Sequence, residues 1–238
     1  VRGKLARALV VLGSATPGVE TFHNARSGKY RYLRMMSRVQ SRPLPEVTLV
    51  DMREEFKASG KPAVLSRALQ AQVAQRLERK EQVPVLLNRR GFSASVLCRS
   101  CGHNFQCRNC SISLSFHRSS NRLVCHYCSF EQRVPNLCPR CSSEHLYFQG
   151  EGTEKVEVLL EKLFPKAKIA RLDRDTAQRK NAHATILRRF QNGETDILAG
   201  TQMISKGHDF HNVTLAAILS ADSSLSFPDF RCAERTFH

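Results

Sequence analysis

The sequence predicts an α/β protein: a parallel sheet flanked by helices, interrupted by an inserted metal-binding module. Three observations carry this reading. Short apolar runs alternate with stretches of helical length and period. Eight of the nine cysteines fall between positions 98 and 141, always as C-x-x-C. The strand–helix rhythm then resumes beyond the last of them, as it does when a block is set into a host domain. Hydrophobic residues make up 41% of the 238, enough for a core, and no apolar run approaches the ~18 residues of a membrane-spanning helix.

Taken in order, residues 8–12 read as a short buried parallel strand, closed by the small-residue turn Gly13-Ser14-Ala15-Thr16-Pro17. A helix follows over 19–27, and 45–50 is extended. Pro62 suits a first helical turn, so 63–80 reads as a long helix rich in good formers. Residues 83–88 form a strand leading into Arg89-Arg90-Gly91, and 92–97 is extended up to the first cysteine. After the cysteine block the host resumes near Leu146, within EHLYFQG, which reads as native and strand-forming. Thr153 caps a helix over 154–164, stopped by Pro165. Residues 168–172 form a strand, 177–191 a helix ended by Gly193, 196–199 a strand and 213–219 a long apolar strand. In such sheets ligand-facing residues collect beyond the carboxyl ends of the strands. Four polar turns fall there: 14–17, 88–91, 201–209 and 222 onward.

The cysteine pairs are Cys98 and Cys101, Cys107 and Cys110, Cys125 and Cys128, and Cys138 and Cys141. One C-x-x-C turn aims two thiolates at one centre, and two turns complete a tetrahedral zinc site, so eight ligands make two sites. A disulfide scaffold needs an oxidising compartment, and the opening VRGKLARALVVLG lacks a secretory cleavage pattern. A redox C-x-x-C occurs once at a helix start, not four times in a row. Iron–sulfur ligation uses the same donors, but the knuckle settings CRSCG, CRNC, CHYC and CPRC favour zinc. His103, His117 and His126 are not needed as ligands and read as local hydrogen-bonding or surface groups, while Cys232 is packed or merely exposed. Spacing leaves the pairing open between sequential (first pair with second) and nested (first with fourth) arrangements.

The formal charge is +16, with +10 of it in residues 1–80 and +5 in 81–150. A basic surface suits a polyanion such as nucleic acid, although surplus Lys and Arg also serve solubility. Eight thiolates and two zinc ions lower the total to about +12 and leave 98–141 nearly neutral. The module's work is then shape, or presentation of side chains such as Arg108, His117, Arg118 and Arg122. The chain has no initiating Met and stops at AERTFH, which reads as a piece of a longer protein.

An ordered series of segments resembles the replication-restart (primosomal) helicase family of superfamily 2. LGSATPGVETFHNARSGKY resembles helicase motif III and its following helix; VPVLLNRRGFSASVLCRSCG resembles motif IV running into that family's zinc insertion. GEGTEKVEVLLEKLFP and ARLDRDT match the start of the second motor lobe. DILAGTQMISKGHDFHNVTL resembles motif V, and ADSSLSFPDFRCAERTF the lead-in to motif VI. The resemblance covers essentially the whole chain. It implies two RecA-like lobes that clamp ATP and Mg²⁺ in the complete protein and move 3′ to 5′ on DNA. Residues 1–55 would be the end of lobe 1 and the linker, 56–97 the start of lobe 2, 98–141 the two-zinc insertion, and 142–238 the rest of lobe 2, cut before motif VI. It also implies nested pairing, with Cys98, Cys101, Cys138 and Cys141 on one zinc and Cys107, Cys110, Cys125 and Cys128 on the other.

The same resemblance assigns roles. Ser14, Ala15 and Thr16 would couple nucleotide state to lobe movement; Gly207 and Asp209 would meet ATP or a water in its cleft. Thr201, Gln202, Lys206, Arg89 and Arg90 would hold DNA phosphates, where hydroxyl, amide and cationic groups grip without reading sequence. Arg231, Glu234 and Arg235 would orient the motif VI region. Implied partners are single-stranded and forked DNA, primosome proteins, the replicative helicase-loading machinery and single-stranded DNA-binding protein, in the cytoplasm at the nucleoid. His211 departs from the family, which more often has proline there. The chain contains no G-x-x-x-x-G-K-[ST] loop, no acidic magnesium motif ahead of motif III and no arginine-rich motif VI. Phosphate cradle, Mg²⁺ ligands and charge compensation act together, so this chain alone is expected to lack ATPase activity. The alternative from another class is a non-catalytic, zinc-stabilised nucleic-acid or primosome-protein adaptor.

Overall fold

The computed structural model describes residues 2–37, 43–87, 95–148, 152–173, 175–178, 182–204, 210–226, 229 and 231–237. Val1–Thr48 with Ala233–His238 form one unit and Leu49–Cys232 the other.

In the first unit, a one-turn helix α1 (Arg2–Leu5) precedes α2 (Val19–Arg26). Residues 8–12 form no strand here: Leu9, Val10, Val11 and Leu12 are exposed. A parallel strand needs neighbours on its hydrogen-bonding edges, and no strand lies among the described residues of this unit. Helix α2 begins after Gly18, which has no side chain to cap it. The cap comes instead from Glu234, whose Oε1 accepts the Val19 N–H at 2.8 Å.

The second unit opens with α3 (Met52–Ser59), in a stretch to which the sequence reading assigns no element. Its signals are local: the Asp51 carboxylate accepts the Arg53 N–H at 2.9 Å, and Gly60 ends the helix at φ 66°, a left-handed conformation that favours glycine. Helix α4 (Arg67–Glu78) starts later than the Pro62 signal suggests, because Ser66 is the cap and accepts the Leu69 N–H. Strand β1 (Val83–Leu87) follows. The host returns as α5 (Thr153–Leu163), β7 (Ile169–Leu172), α6 (Ala182–Gln191), β8 (Ile197–Gly200) and β9 (Ala217–Leu219), numbered after the five strands of the insertion. The short helix α7 (Cys232–Phe237), all but its first residue in the first unit, carries Glu234.

These four host strands pair in parallel in the order β7-β8-β1-β9. Strand β8 is buried at every position, as a strand covered on both faces must be. Ile197 and Ala199 join Val83, Val85, Val73, Val156 and Leu160 in one core under α4 and α5. Leu198 faces the other way, onto Leu187 and Phe190 of α6. This is a three-layer α/β sandwich. The predicted strand over 213–219 contracts to β9, with Val213 reduced to a single bridge to Gln82, because residues 214–216 leave the ladder. The predicted helix over 177–191 likewise divides, with a 3₁₀ turn at Thr176–Gln178 before α6.

The insertion rises beyond the carboxyl end of β1. A stalk of β2 (Val96–Cys98) and β6 (Leu146–Phe148) pairs antiparallel, so EHLYFQG does supply a strand. Between them β3 (Ser115–His117), β4 (Arg122–Val124) and β5 (Glu131–Arg133) form a meander. Val96, Phe105, Leu114 and Leu123 make a separate small core with Cys107 and Cys125.

Candidate metal centres and strand-end loops

Each C-x-x-C is built the same way. The N–H four residues after the first cysteine bonds back to that cysteine's carbonyl: Gly102 to Cys98, Ser111 to Cys107, Ser129 to Cys125 and Ser142 to Cys138, at 2.8–2.9 Å. The first cysteine's own N–H then donates to the residue one further on, His103, Ile112, Phe130 or Ser143. Gly102, Ser111, Ser129 and Ser142 all have positive φ, between 53° and 73°. Only small residues stand at this left-handed position, a repeated signal that cysteine counting alone passes over. The turn leaves backbone N–H groups free to face sulfur, as Asn109 N–H does toward Cys107 Sγ at 3.4 Å.

Four such turns converge in two groups. Sγ atoms of Cys98, Cys101, Cys138 and Cys141 lie within 4.8 Å of one another, as do those of Cys107, Cys110, Cys125 and Cys128. Across the knuckles, Cys98 and Cys141 are 3.6 Å apart, Cys101 and Cys138 3.7 Å, and Cys107 and Cys128 3.5 Å. The grouping is nested. Thiols this close cannot all ionise without a cation, and their acidities split accordingly. The Phe130 N–H, against the cost of burial, draws Cys128 down to about 6. The Cys128 thiol pushes Cys110 up to about 12. Burial opposes ionisation of Cys98, but N–H groups of Cys101 and Ser100 outweigh it and hold the thiol at about 7. Four sulfurs with N–H donors around them suit a divalent thiophilic ion, and each cluster can hold one.

The outer cluster sits at the stalk, where Cys98 ends β2. Helix α3 packs on it: the Phe56 and His145 rings meet edge to face at 4.8 Å, and a Cβ on Gly102 would stand 3.2 Å from Arg53 Cδ. Arg99 lies 3.5 Å over the Tyr147 ring. Of the side chains expected to be presented, Arg108 is drawn over Phe130 at 4.5 Å and Arg122 is paired with Glu131 at 3.1 Å. His103 packs edge-on against Phe105, outside both clusters, while His117 and His126 face each other.

At the carboxyl end of β7 lies a network centred on Asp173. Asp173 is buried. Its Oδ2 accepts the Thr153 hydroxyl at 2.5 Å, and its Oδ1 accepts N–H groups of Asp175 and Thr176 at 3.0 and 2.9 Å. Arg171 reaches it at 3.3 Å while also pairing with Glu154 and Glu157. Burial raises the Asp173 pKa, but the Thr153 hydroxyl, the Thr176 N–H and Arg171 together bring it below the ordinary carboxylate range. Thr153 is therefore a bonding partner of Asp173, not a helix cap; the cap position is Gly152. No local pattern announces this, because the partners come from two elements.

Thr201 and Gln202 leave the end of β8 in a 3₁₀ turn, Gln202–Ile204. The Thr201 N–H donates to the Leu172 carbonyl at 3.3 Å, tying the turn to β7. Gly200 is required there, since a Cβ would collide with that same carbonyl. In the other unit Ser14, Ala15 and Thr16 form a tight turn in which the Thr16 N–H donates to Ser14 Oγ at 3.1 Å. Arg231 N–H donates to Asp229 at 2.8 Å. Arg89, Arg90, Lys206, Gly207 and Asp209 lie outside the described residues.

A family model for the PriA DNA helicase Cys-rich region (CRR) domain matches residues 107–133, and one for the helicase conserved C-terminal domain matches 142–231. Among similar proteins, the replication restart protein PriA of Bacillus subtilis is 50% identical over 228 residues, which cover 96% of this chain and 28% of that one. PriA of Chlamydia pneumoniae is 44% identical over 100% of this chain and 32% of its own length. PriA of Synechocystis is 44% identical over 99% and 29%. The chain thus spans about a third of the length of the curated relatives it matches.

Proposed function

Because the chain belongs to the PriA replication-restart family, we propose that it is the central part of a DNA helicase motor that acts in replication restart. The observation that carries the reading is a nested pair of four-cysteine clusters set into a parallel α/β sheet that a helicase C-terminal domain matches. In this reading residues 1–55 belong to the first RecA-like lobe and the linker, 56–97 and 142–238 to the second lobe, and 98–141 to the insertion. Both cysteine clusters hold zinc, which fixes the insertion's shape rather than its charge.

The strand-end loops do the work of the motor. Thr201 and Gln202 stand on a turn tied to β7 by the Thr201 N–H, and their hydroxyl and amide hydrogen-bond phosphate oxygens irrespective of base. Lys206, Arg89 and Arg90 add charge-assisted contacts to the same strand. Ser14, Ala15 and Thr16 transmit nucleotide state, their turn being small enough to shift without steric cost. ATP with Mg²⁺, in the whole protein, supplies the free energy of phosphoryl transfer, and Gly207 and Asp209 take part in binding it. Movement is 3′ to 5′ and ends in loading of the replicative helicase with primosome proteins, in the cytoplasm, on forked and single-stranded DNA coated by single-stranded DNA-binding protein.

The test compares this 238-residue chain with the complete protein in DNA-stimulated ATP hydrolysis. Activity is expected only in the complete protein, with losses there on Thr201→Ala and Gln202→Ala that a longer DNA strand partly restores. Hydrolysis by the 238-residue chain alone would overturn the division of labour. A complete protein without DNA-stimulated hydrolysis would overturn the motor reading and favour the adaptor.

A further inference from the structure

We propose that His117 and His126 form a third cation site on the insertion, a two-imidazole chelate for a divalent transition metal such as zinc. Their Nε2 atoms stand 3.4 Å apart, with ring centroids at 5.2 Å and planes inclined by 52°. Two imidazole nitrogens at ordinary zinc distances in a tetrahedral arrangement are about 3.3–3.4 Å apart. The pair is therefore already spaced as two ligands of one ion. A hydrogen bond between the rings uses the same separation, with one Nε2–H donating, and a metal replaces it once that proton moves to Nδ1 so that both Nε2 lone pairs are available.

The backbone beneath both rings is fixed without the ion. His117 ends β3, whose register against β4 sets Phe116 opposite Leu123 and His117 opposite Arg122. His126 lies inside the Cys125–Cys128 knuckle, closed by the Cys125 N–H to Phe130 carbonyl bond at 2.8 Å. A chelate formed there pays little in ordering. Electrostatics also permit it: Arg122, the nearest opposing cation in the register, is paired with Glu131. Four thiolates on a divalent ion leave the adjoining cysteine site with net negative charge. His126 is exposed, so water completes the coordination. Among the described residues no further His, Cys, Asp or Glu joins the pair, so the ion is held more weakly than in the cysteine clusters and exchanges freely.

The experiment titrates zinc by calorimetry into the full chain with both cysteine sites already filled. One additional, weaker equivalent is expected. His117→Gln and His126→Gln should each weaken it by more than about tenfold, since loss even of a ligand's supporting partner costs 10–100-fold. Elemental analysis should still find the two tightly held zinc ions in both variants. As a second measurement on the unmodified chain, substoichiometric Ni²⁺ should broaden the His117 and His126 imidazole resonances before any others. Absence of a third equivalent, its persistence in either variant, or broadening centred elsewhere would overturn the site.

Discussion

Replacing Cys107 with serine separates the two ways of pairing the cysteines. In the nested arrangement Cys107 belongs with Cys110, Cys125 and Cys128, and its sulfur lies 3.5 Å from that of Cys128. The other cluster, spanned by contacts of 3.6 and 3.7 Å, shares no residue with it. A structural zinc site contributes about 10–16 kcal/mol of binding free energy to folding at neutral pH, so three thiolates and a hydroxyl forfeit enough of it to release the ion. Cys107 and Cys125 are also part of the small core around Leu114 and Leu123, so the meander loosens while the β2–β6 stalk stays closed. Bound zinc should fall from two per chain to one. Alkylation followed by peptide mass mapping should label Cys110, Cys125 and Cys128 and spare Cys98, Cys101, Cys138 and Cys141. Sequential pairing would instead expose Cys98, Cys101 and Cys110 and spare the later four. That labelling pattern, or equal loss of both ions, would refute the reasoning.

Further outcomes follow from the sheet and its loops. Thr153→Val, Asp173→Asn and the double variant should show a coupling energy of about 1.5–3 kcal/mol in urea unfolding, the range for a hydrogen bond to a charged group; a value near zero would mean that the short contact is not energetic. With no tryptophan in the chain, far-ultraviolet circular dichroism is the natural probe. Gly200→Ala should cost about 1–3 kcal/mol, the range for overpacking, because its Cβ meets the Leu172 carbonyl, and an unchanged urea midpoint would contradict that crowding. Side-chain hydrogen bonding from Arg53 holds Asp51 at about 2, so its cap stabilises α3 fully above the ordinary carboxylate range and is lost as pH falls through about 2; nuclear magnetic resonance titration should find that value rising on Arg53→Ala. DNA binding by the complete protein should weaken linearly in log–log salt plots and without sequence preference, while a flat salt response would remove the phosphate contacts from the account.

Where sequence and structure part, the cause is usually a partner at long range. The cysteine spacing declares eight ligands, but their division into two sites came from resemblance, not from spacing. Strands β1 and β8 are legible as dense apolar runs because a strand buried on both faces needs no alternation. The run at residues 8–12 has the same composition and forms nothing, since hydrogen-bonding neighbours and not composition make a strand. Helix α3 is legible at its two ends, since Asp51 and Gly60 bracket it, while its mixed-charge interior gives no apolar period. Thr153 looks like a cap because capping is a local rule, and only the fold brings Asp173 to its hydroxyl. Asp173 lies within ARLDRDT, but that match assigns it no role, since the carboxylate collects donors from two elements at once. The His117–His126 pair is invisible for the same reason: nine positions separate residues that a turn and a knuckle bring together.

The outer cysteine cluster has a consequence for how the chain folds. Strand β1 must find β8 across an intervening stretch of more than a hundred residues, and that search is a slow, entropically opposed step. Once Cys98 and Cys141 share an ion, the whole insertion is excised from the path between those strands. The effective loop drops from about 110 residues to about 70, a relief of only about 0.4 kcal/mol in closure entropy. The larger effect is insulation. Whatever grows or shrinks inside the clamp, the sheet sees the same short connection, so the insertion can vary in length and shape without re-registering a single host strand.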